Sequence, residues 1–135
     1  MINSYSTVSQ AVNVNGTINF DTTRILTGCT IKHADGTPTF TLTKPGYYFV
    51  TFDGVISGTT AGIVTVELLN GADAVPAALA STTIAVGDEA TLNFTTIIRV
   101  LPSCPSIDNT TKLSIANTGV ATTFTNVNIN ITKLC

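Results

Sequence analysis

The side chains that most often carry out catalysis or bind metal ions are few in this chain and far apart. It has one histidine, His33, and three cysteines, Cys29, Cys104 and Cys135. Cys29 and His33 are four residues apart, and in a strand that spacing separates them by about 13 Å. A Cys–His nucleophile pair needs direct hydrogen bonding, so this spacing argues against one. The cysteine spacing also fits no zinc pattern.

Three carboxylates, Asp73, Asp88 and Glu89, are predicted to lie in loops or turns. Carboxylate oxygens are ligands that Ca²⁺ prefers, but a binding loop gathers several of them within a few residues. Scattered loop carboxylates are usually solvated. We therefore expect no metal ion, no cofactor and no catalytic residue, and the chain is predicted not to be an enzyme.

The elements that position these residues are predicted to be strands throughout. Apolar and polar residues alternate between turn-forming pairs such as Pro45-Gly46 and Asn70-Gly71. The predicted strands cover residues 9–20, 29–33, 37–43, 47–57, 63–69, 79–86, 90–101, 112–117 and 123–133. Strands without helices indicate a sandwich or jelly roll. We expect one domain over residues 1–135, in which about residues 1–8 are flexible.

The strand that follows Pro45-Gly46 is apolar on both faces. Alternation places Tyr48, Val50 and Phe52 on one face. It places Tyr47 and Phe49 on the other. A soluble antiparallel sheet normally keeps one face polar. We therefore predict that the first face lies in the core and that another copy of the same chain covers the second.

Two further strands have unusual outer faces. Within residues 92–101 the outer set becomes apolar at Ile97, next to Arg99. Near the C-terminus, Asn126, Asn128 and Asn130 occupy one face of a strand. Asparagine is unfavourable in strands. The row is either a solvated face or a hydrogen-bonding seam between subunits.

Composition excludes two classes of partner. The net charge is −2 and there is no basic run, so nucleic-acid binding is not expected. No apolar stretch approaches the ~20 residues of a membrane span. Residues 1–10 have neither a basic region nor an apolar run, so no Sec signal peptide is predicted and synthesis in the cytoplasm is expected. Only 10% of residues are charged and 26 are threonine, which indicates either wide protein–protein contact or a threonine-covered surface.

The chain resembles a known superfamily in several ordered motifs. Gly46-x-Tyr48-x-Val50-x-Phe52, preceded by Thr-Phe-Thr-Leu at 39–42 and by Pro45, resembles the core strand of the tumour necrosis factor and complement globular-head superfamily. The segments 66–71, 113–117 and 130–134 are similar to its bacterial and phage branch, which includes the C-terminal heads of collagen-like spore-surface glycoproteins. The resemblance extends from about Val12 to Leu134.

The resemblance implies a ten-strand jelly-roll sandwich that assembles as a compact homotrimer. It implies that Tyr48, Val50 and Phe52 are core, and that the strands at 47–57, 92–101 and 123–133 face the three-fold axis. The implied trimer interface comprises Tyr47, Phe49, Val55, Ile97, Arg99, Asn126, Asn128 and Asn130. Arg99 would then need an acceptor, and Asp53 or Glu67 of a neighbouring chain are candidates.

The implied topology also concerns two of the cysteines. The last strand and the strand that ends at Leu101 would run parallel, so Cys104 and Cys135 would lie at the same end of the molecule. A disulfide between them, within or between chains, is compatible with that geometry. Three reduced thiols are the alternative if the protein stays in a cytosol.

These observations predict a non-enzymatic homotrimer. It would be a structural or adhesive protein of a phage particle, a prophage product or a microbial surface, released by lysis, since the chain has no Gly-X-Y stalk and no predicted signal peptide. Its partners would be further copies of itself and a capsid, tail or cell-surface component. The alternative is a receptor- or glycan-recognition module, such as a phage receptor-binding tip.

Overall fold

The computed structural model describes residues 1–102 and 111–134, and these residues form strands and connecting turns without a helix. The strands are β1 (Ile2–Ser6), β2 (Gln10–Val12), β3 (Gly16–Thr17), β4 (Thr22–Leu26), β5 (Ile31–Lys32), β6 (Phe40–Leu42), β7 (Gly46–Ser57), β8 (Gly62–Asn70), β9 (Asp73–Ile84), β10 (Glu89–Val100), β11 (Thr111–Asn117) and β12 (Thr122–Lys133). Ten of them have three or more residues, and β3 and β5 have two each.

The strands form two six-stranded sheets that pack face to face. The front sheet has the order β10-β7-β12-β1-β4, with β2 beside β12. The back sheet has the order β5-β6-β11-β8-β9, with β3 beside β11. The predicted all-β jelly-roll sandwich is confirmed. Both β10 and β12 pair antiparallel with β7, so they run parallel to each other, but Cys104 and Cys135 lie outside the described residues.

The core lies between the inner faces of the two sheets. Tyr48, Val50 and Phe52 point inward from β7 and are fully buried. The ring of Phe52 lies 6.4 Å from that of Phe20 and 5.6 Å from that of Phe94, measured between centroids. Such aromatic pairs add to the stabilisation that comes from burial alone. Because these three side chains lie in the core, the opposite face of β7, which carries Tyr47 and Phe49, lies on the outside of the sandwich.

Residues 1–8, for which flexibility was predicted, include strand β1. Strand β1 lies inside the front sheet, where it pairs with β12 on one side and with β4 on the other. Its inward residues Ser4 and Ser6 are polar, so the segment lacks the apolar alternation of a strand. Ser4 instead hydrogen-bonds Thr23 at 3.1 Å, and Ser6 donates to Asp21 at 2.7 Å.

The predicted strand over 9–20 is interrupted, and β4 was not predicted at all. Asn15 takes a left-handed conformation with a φ of 64°, and its turn separates β2 from β3. Asparagine tolerates this conformation better than most residues. Strand β4 has mostly exposed side chains, so it depends on its pairing with β1 rather than on an alternating pattern.

Tyr48→Phe should change how the stability of the fold depends on alkaline pH. The Tyr48 hydroxyl donates to the carbonyl oxygen of Lys44 at 2.7 Å, and burial raises the pKa of this phenol above its usual value. The folded state therefore holds the proton more tightly than the unfolded chain. This contribution to stability is complete below the unfolded pKa of about 10 and is lost as the pH rises through the folded pKa.

We expect Tyr48→Phe to flatten the alkaline decline in the free energy of unfolding, measured by urea titration at a series of pH values from neutral into the alkaline range. The variant should also lose about 1 kcal/mol at neutral pH with its hydrogen bond. Thr122→Val, which removes a buried hydroxyl that donates to the carbonyl oxygen of Ser57 at 2.9 Å, is the control and should keep the parent slope, because threonine does not titrate in this range. An unaltered slope in Tyr48→Phe would contradict the assignment.

Candidate subunit interface

The outer face of the front sheet carries large apolar side chains that the fold leaves uncovered. Tyr47 is 44% exposed, Phe49 37% and Ile97 56%. Phe49 and Ile97 are directly paired across β7 and β10, and Tyr47 is paired with Arg99 in the same register. Because paired side chains on one face lie close together, these residues form one continuous apolar surface.

Two other residues of the implied interface lie on this face. Arg99 is exposed, and its guanidinium carbon lies 5.9 Å from the centroid of the Tyr47 ring. That distance is within the range of a cation–π contact. Val55 is half-buried nearer the other end of β7, where Asn126 and Thr91 flank it.

The asparagine row of β12 lies on the same outer face, and two of its members are bonded within the chain. The Nδ2 group of Asn3 donates to Oδ1 of Asn128 at 2.7 Å and to Oδ1 of Asn130 at 2.6 Å. Asn130 in turn donates from Nδ2 to the hydroxyl of Thr51 at 3.2 Å. Asn126 is exposed. The amides of Asn128 and Asn130 therefore join β12 to both of its neighbours in the sheet.

Asn3 is the residue of this network that the sequence did not single out. Its side chain is only 5% exposed, and Nδ2 also faces the carbonyl oxygen of Ile129 at 3.3 Å. Only a donor can face a carbonyl oxygen, so this contact fixes the orientation of the amide. The Oδ1 atom is then buried without a partner, which costs about 1–3 kcal/mol. The donated bonds offset that cost and hold β1 in register with β12.

At the opposite end from Tyr47, the same face is polar and concave. A concavity of about 240 Å³ lies over β12, and Arg24, Tyr5 and Asp53 are among the residues that line it. The guanidinium carbon of Arg24 lies 4.6 Å from the centroid of the Tyr5 ring. We call this region the polar end of the front face, and the region around Tyr47, Phe49 and Ile97 the apolar end.

Two residues were considered for catalysis, and the structure packs His33 against other residues of the chain and leaves Cys29 exposed. The His33 ring stacks on Phe40 at 4.0 Å, and its nitrogens face the carbonyl oxygens of Thr39 at 3.0 Å and Phe20 at 3.2 Å. A neutral imidazole carries one N–H, so one of these nitrogens donates to its carbonyl oxygen, and the ring is held against the backbone and Phe40. Cys29 is an exposed free thiol.

Two of the three carboxylates predicted to lie in loops or turns lie in strands instead. Asp73 and Glu89 are the first residues of β9 and β10, because the pairing of those strands extends further than their apolar pattern. Asp88 lies in the turn between these strands, where Oδ2 accepts from the amide of Ala85 at 3.3 Å. Within residues 1–102 and 111–134, no three acidic, histidine or cysteine residues are grouped as a metal site would require.

The part of the chain that the structure describes contains no helix with the length and hydrophobicity needed to cross a membrane.

The two-sheet arrangement is the jelly roll of the tumour necrosis factor and complement globular-head proteins. The globular domain of zebrafish complement 1qA has this fold, with a TM-score of 0.72 and 10% identity over 99% of this chain and 96% of that chain. Eiger TNF from S. frugiperda gives a TM-score of 0.73 and 8% identity over 99% of this chain and 92% of that one. The PRD1 vertex protein P5 gives 0.59 and 19% identity over 99% and 96%.

The predicted resemblance is thus confirmed for the fold, and the fold occurs both in animal proteins and in a phage protein. At such low identities the likeness concerns the backbone arrangement and not the residues of any site. No protein-family profile matches the chain, and no curated protein matches its sequence. The role of the front face must therefore be argued from its own chemistry.

Proposed function

We propose that this chain is a non-enzymatic structural protein that assembles as a homotrimer through the outer face of its front sheet. The observation that carries the proposal is the apolar end, where Tyr47, Phe49 and Ile97 are exposed side by side. Contiguous exposed apolar surface on a folded domain usually marks a protein–protein contact. Each of these side chains would contribute about 1.5–3 kcal/mol when fully buried.

A closed assembly of three copies fits the fold and this face together. The resemblance to tumour necrosis factor and complement heads implies a trimer with this sheet at the three-fold axis. The implied interface residues Val55, Arg99 and Asn126 lie on the same face as the apolar end. Within the described residues, the exposed aromatic side chains, Tyr47 and Phe49, lie on this sheet and not in the loops, which favours assembly over recognition by loops.

The place of assembly that we propose is a phage particle or a microbial surface. The likeness to a phage vertex protein, PRD1 P5, supports a virion component. Trimerisation would present the turns between strands in three copies, and weak single contacts gain strongly when the target is repetitive. A capsid, a tail or a cell envelope would be such a target.

The mass of the purified protein in solution tests this proposal. Sedimentation equilibrium or light scattering should give about three times the chain mass of 14.0 kDa. The mass should hold over a hundredfold range of concentration if the interface reaches the usual 1,200–2,000 Å². A stable monomer at micromolar concentration would refute the assembly, and a dimer would refute its symmetry.

A further inference from the structure

The outer face of the front sheet has two halves, and their chemistry is complementary at each of its two ends. One half is formed by β10 and β7, and the other by β1 and β4, with β12 between them. At the apolar end, the first half carries Phe49 and Ile97. The second half carries Met1 at the level of Phe49, where it is 40% exposed, and Ile25 at the level of Thr51, the next outward position of β7, where it is 38% exposed.

At the polar end the two halves carry opposite charges. Asp53 lies on β7 in the first half, next to Asn93 of β10. Arg24 lies on β4 in the second half and contacts Tyr5, whose partner on β12 is Asn128, the neighbour of Asp53. The backbone of Arg24 lies in the irregularity of β4 between the partners of Asn3 and Ser4, one to two residues from the level of Asp53. Its guanidinium group extends to the Tyr5 ring and so approaches the level of Asp53, with β12 and β1 between the two strands.

In a closed three-fold assembly each contact is heterologous, so one half of a copy meets the other half of the next copy. If the axis runs along the strands, the rotation keeps every residue at its own level. Phe49 would then meet Met1 at its own level, with Ile25 at the next outward level, so that apolar surface contacts apolar surface. At the polar end, Asp53 of one copy would meet Arg24 of the next.

We propose that Arg24 and Asp53 form an ion pair between neighbouring copies, an inference that rests on the proposed trimer. Neither residue makes an ion pair within the described residues of its own chain, and both line the concavity over β12. The second copy of this chain is the partner that this surface fits, because it supplies the opposite charge at the same end of the face. The pair would set the relative height of the three copies, since charged contacts fix orientation and exclude wrong alignments.

The geometry disfavours the acceptors first considered for Arg99. Arg99 is paired with Tyr47, and Asp53 is six residues further along β7, a separation of about 20 Å. A rotation that preserves level does not bring Arg99 and Asp53 together. Glu67 is on β8 in the back sheet, away from this face. Arg99 instead remains over the Tyr47 ring at the apolar end.

Charge reversal tests the proposed pair. Arg24→Asp and Asp53→Arg each replace three attractive contacts by three repulsive ones. Each should raise the dissociation constant of the trimer at least tenfold in 50 mM salt. The double variant, with both charges exchanged, should recover to within about threefold of the parent. In 1 M salt the differences should largely disappear, because exposed charges are then screened. Lys32→Glu, which reverses an exposed charge on β5 of the back sheet, is the control and should have no effect.

The outcomes separate this inference from the proposed trimer. A parent protein that is monomeric refutes the trimer itself. A trimeric parent that is insensitive to both single reversals refutes the ion pair alone, and so does a double variant that does not recover. If the reversals shift the unfolding of each chain to the same extent at every protein concentration, the pair lies within one chain, and the inference is overturned.

Discussion

Ile97→Asp is expected to convert the trimer into monomers of about 14 kDa. Ile97 is 56% exposed in the single chain, so the folded monomer tolerates a carboxylate there. In the proposed assembly the same carboxylate would be buried against apolar side chains in each of three contacts. Burying an unpaired charge costs several kcal/mol, which exceeds what one side chain contributes to the interface. Sedimentation velocity at micromolar concentration measures the result.

A matched control lies on the other side of the molecule. Ile63 is 57% exposed and lies on β8 of the back sheet. Ile63→Asp makes the same chemical change at the same exposure, and it should leave the trimer intact. Both variants should keep the circular dichroism spectrum of the parent, which would show that each chain is folded. If both variants dissociate, or if neither does, the front face has been wrongly assigned as the interface.

The sequence predicted those parts of the fold whose apolar pattern is continuous. Strand β7 was recognisable because Tyr48, Val50 and Phe52 alternate with a second apolar set, and that alternation also indicated a covered outer face. Strands β10 and β12 were predicted for the same reason. These three strands supply one half of the proposed interface and its centre.

The other half was missed because its strands do not depend on apolar alternation. Strand β1 carries Ser4 and Ser6 on its inner face, where hydrogen bonds to neighbouring loops and strands satisfy them. Strand β4 has no buried residue. Both strands depend on pairing with residues distant in sequence, which no local pattern shows. The positions of Arg24 and Ile25 on the outer face, on which the proposed contact between copies depends, therefore became visible only in the structure.

The asparagine row of β12 shows how a hydrogen-bond partner distant in sequence changes the interpretation of a pattern. A solvated face and a seam between subunits were the two alternatives for Asn126, Asn128 and Asn130. Asn3 bonds two of them inside the chain, so their amide oxygens are already occupied before any assembly. Only Asn126 keeps an exposed side chain. The proposed assembly would therefore depend on the apolar end and on charge more than on paired amides.

Gly119→Ala is expected to destabilise the fold itself by about 4 kcal/mol or more, an effect reserved for severe steric conflict. Gly119 lies in the turn between β11 and β12. A Cβ atom there would overlap the carbonyl oxygen of Ile63 and would lie 2.6 Å from the amide nitrogen of Thr65. Both obstacles are backbone atoms of β8, so no side-chain rotation relieves the contact.

The turn cannot move aside without losing the bonds that hold it. Thr118 donates to the carbonyl oxygen of Thr65 at 2.9 Å, and Val120 donates to that of Ile63 at 2.9 Å. Gly28→Ala is the comparison, because Gly28 has open space around it and a φ of +76°, so that change should cost only about 1–2 kcal/mol of backbone strain. Urea unfolding of both variants measures the difference. Equal losses of stability would show that the close approach to β8 is not what requires glycine at position 119. A much larger loss at Gly119 would show that the contact between this turn and β8 holds the two sheets in their observed arrangement.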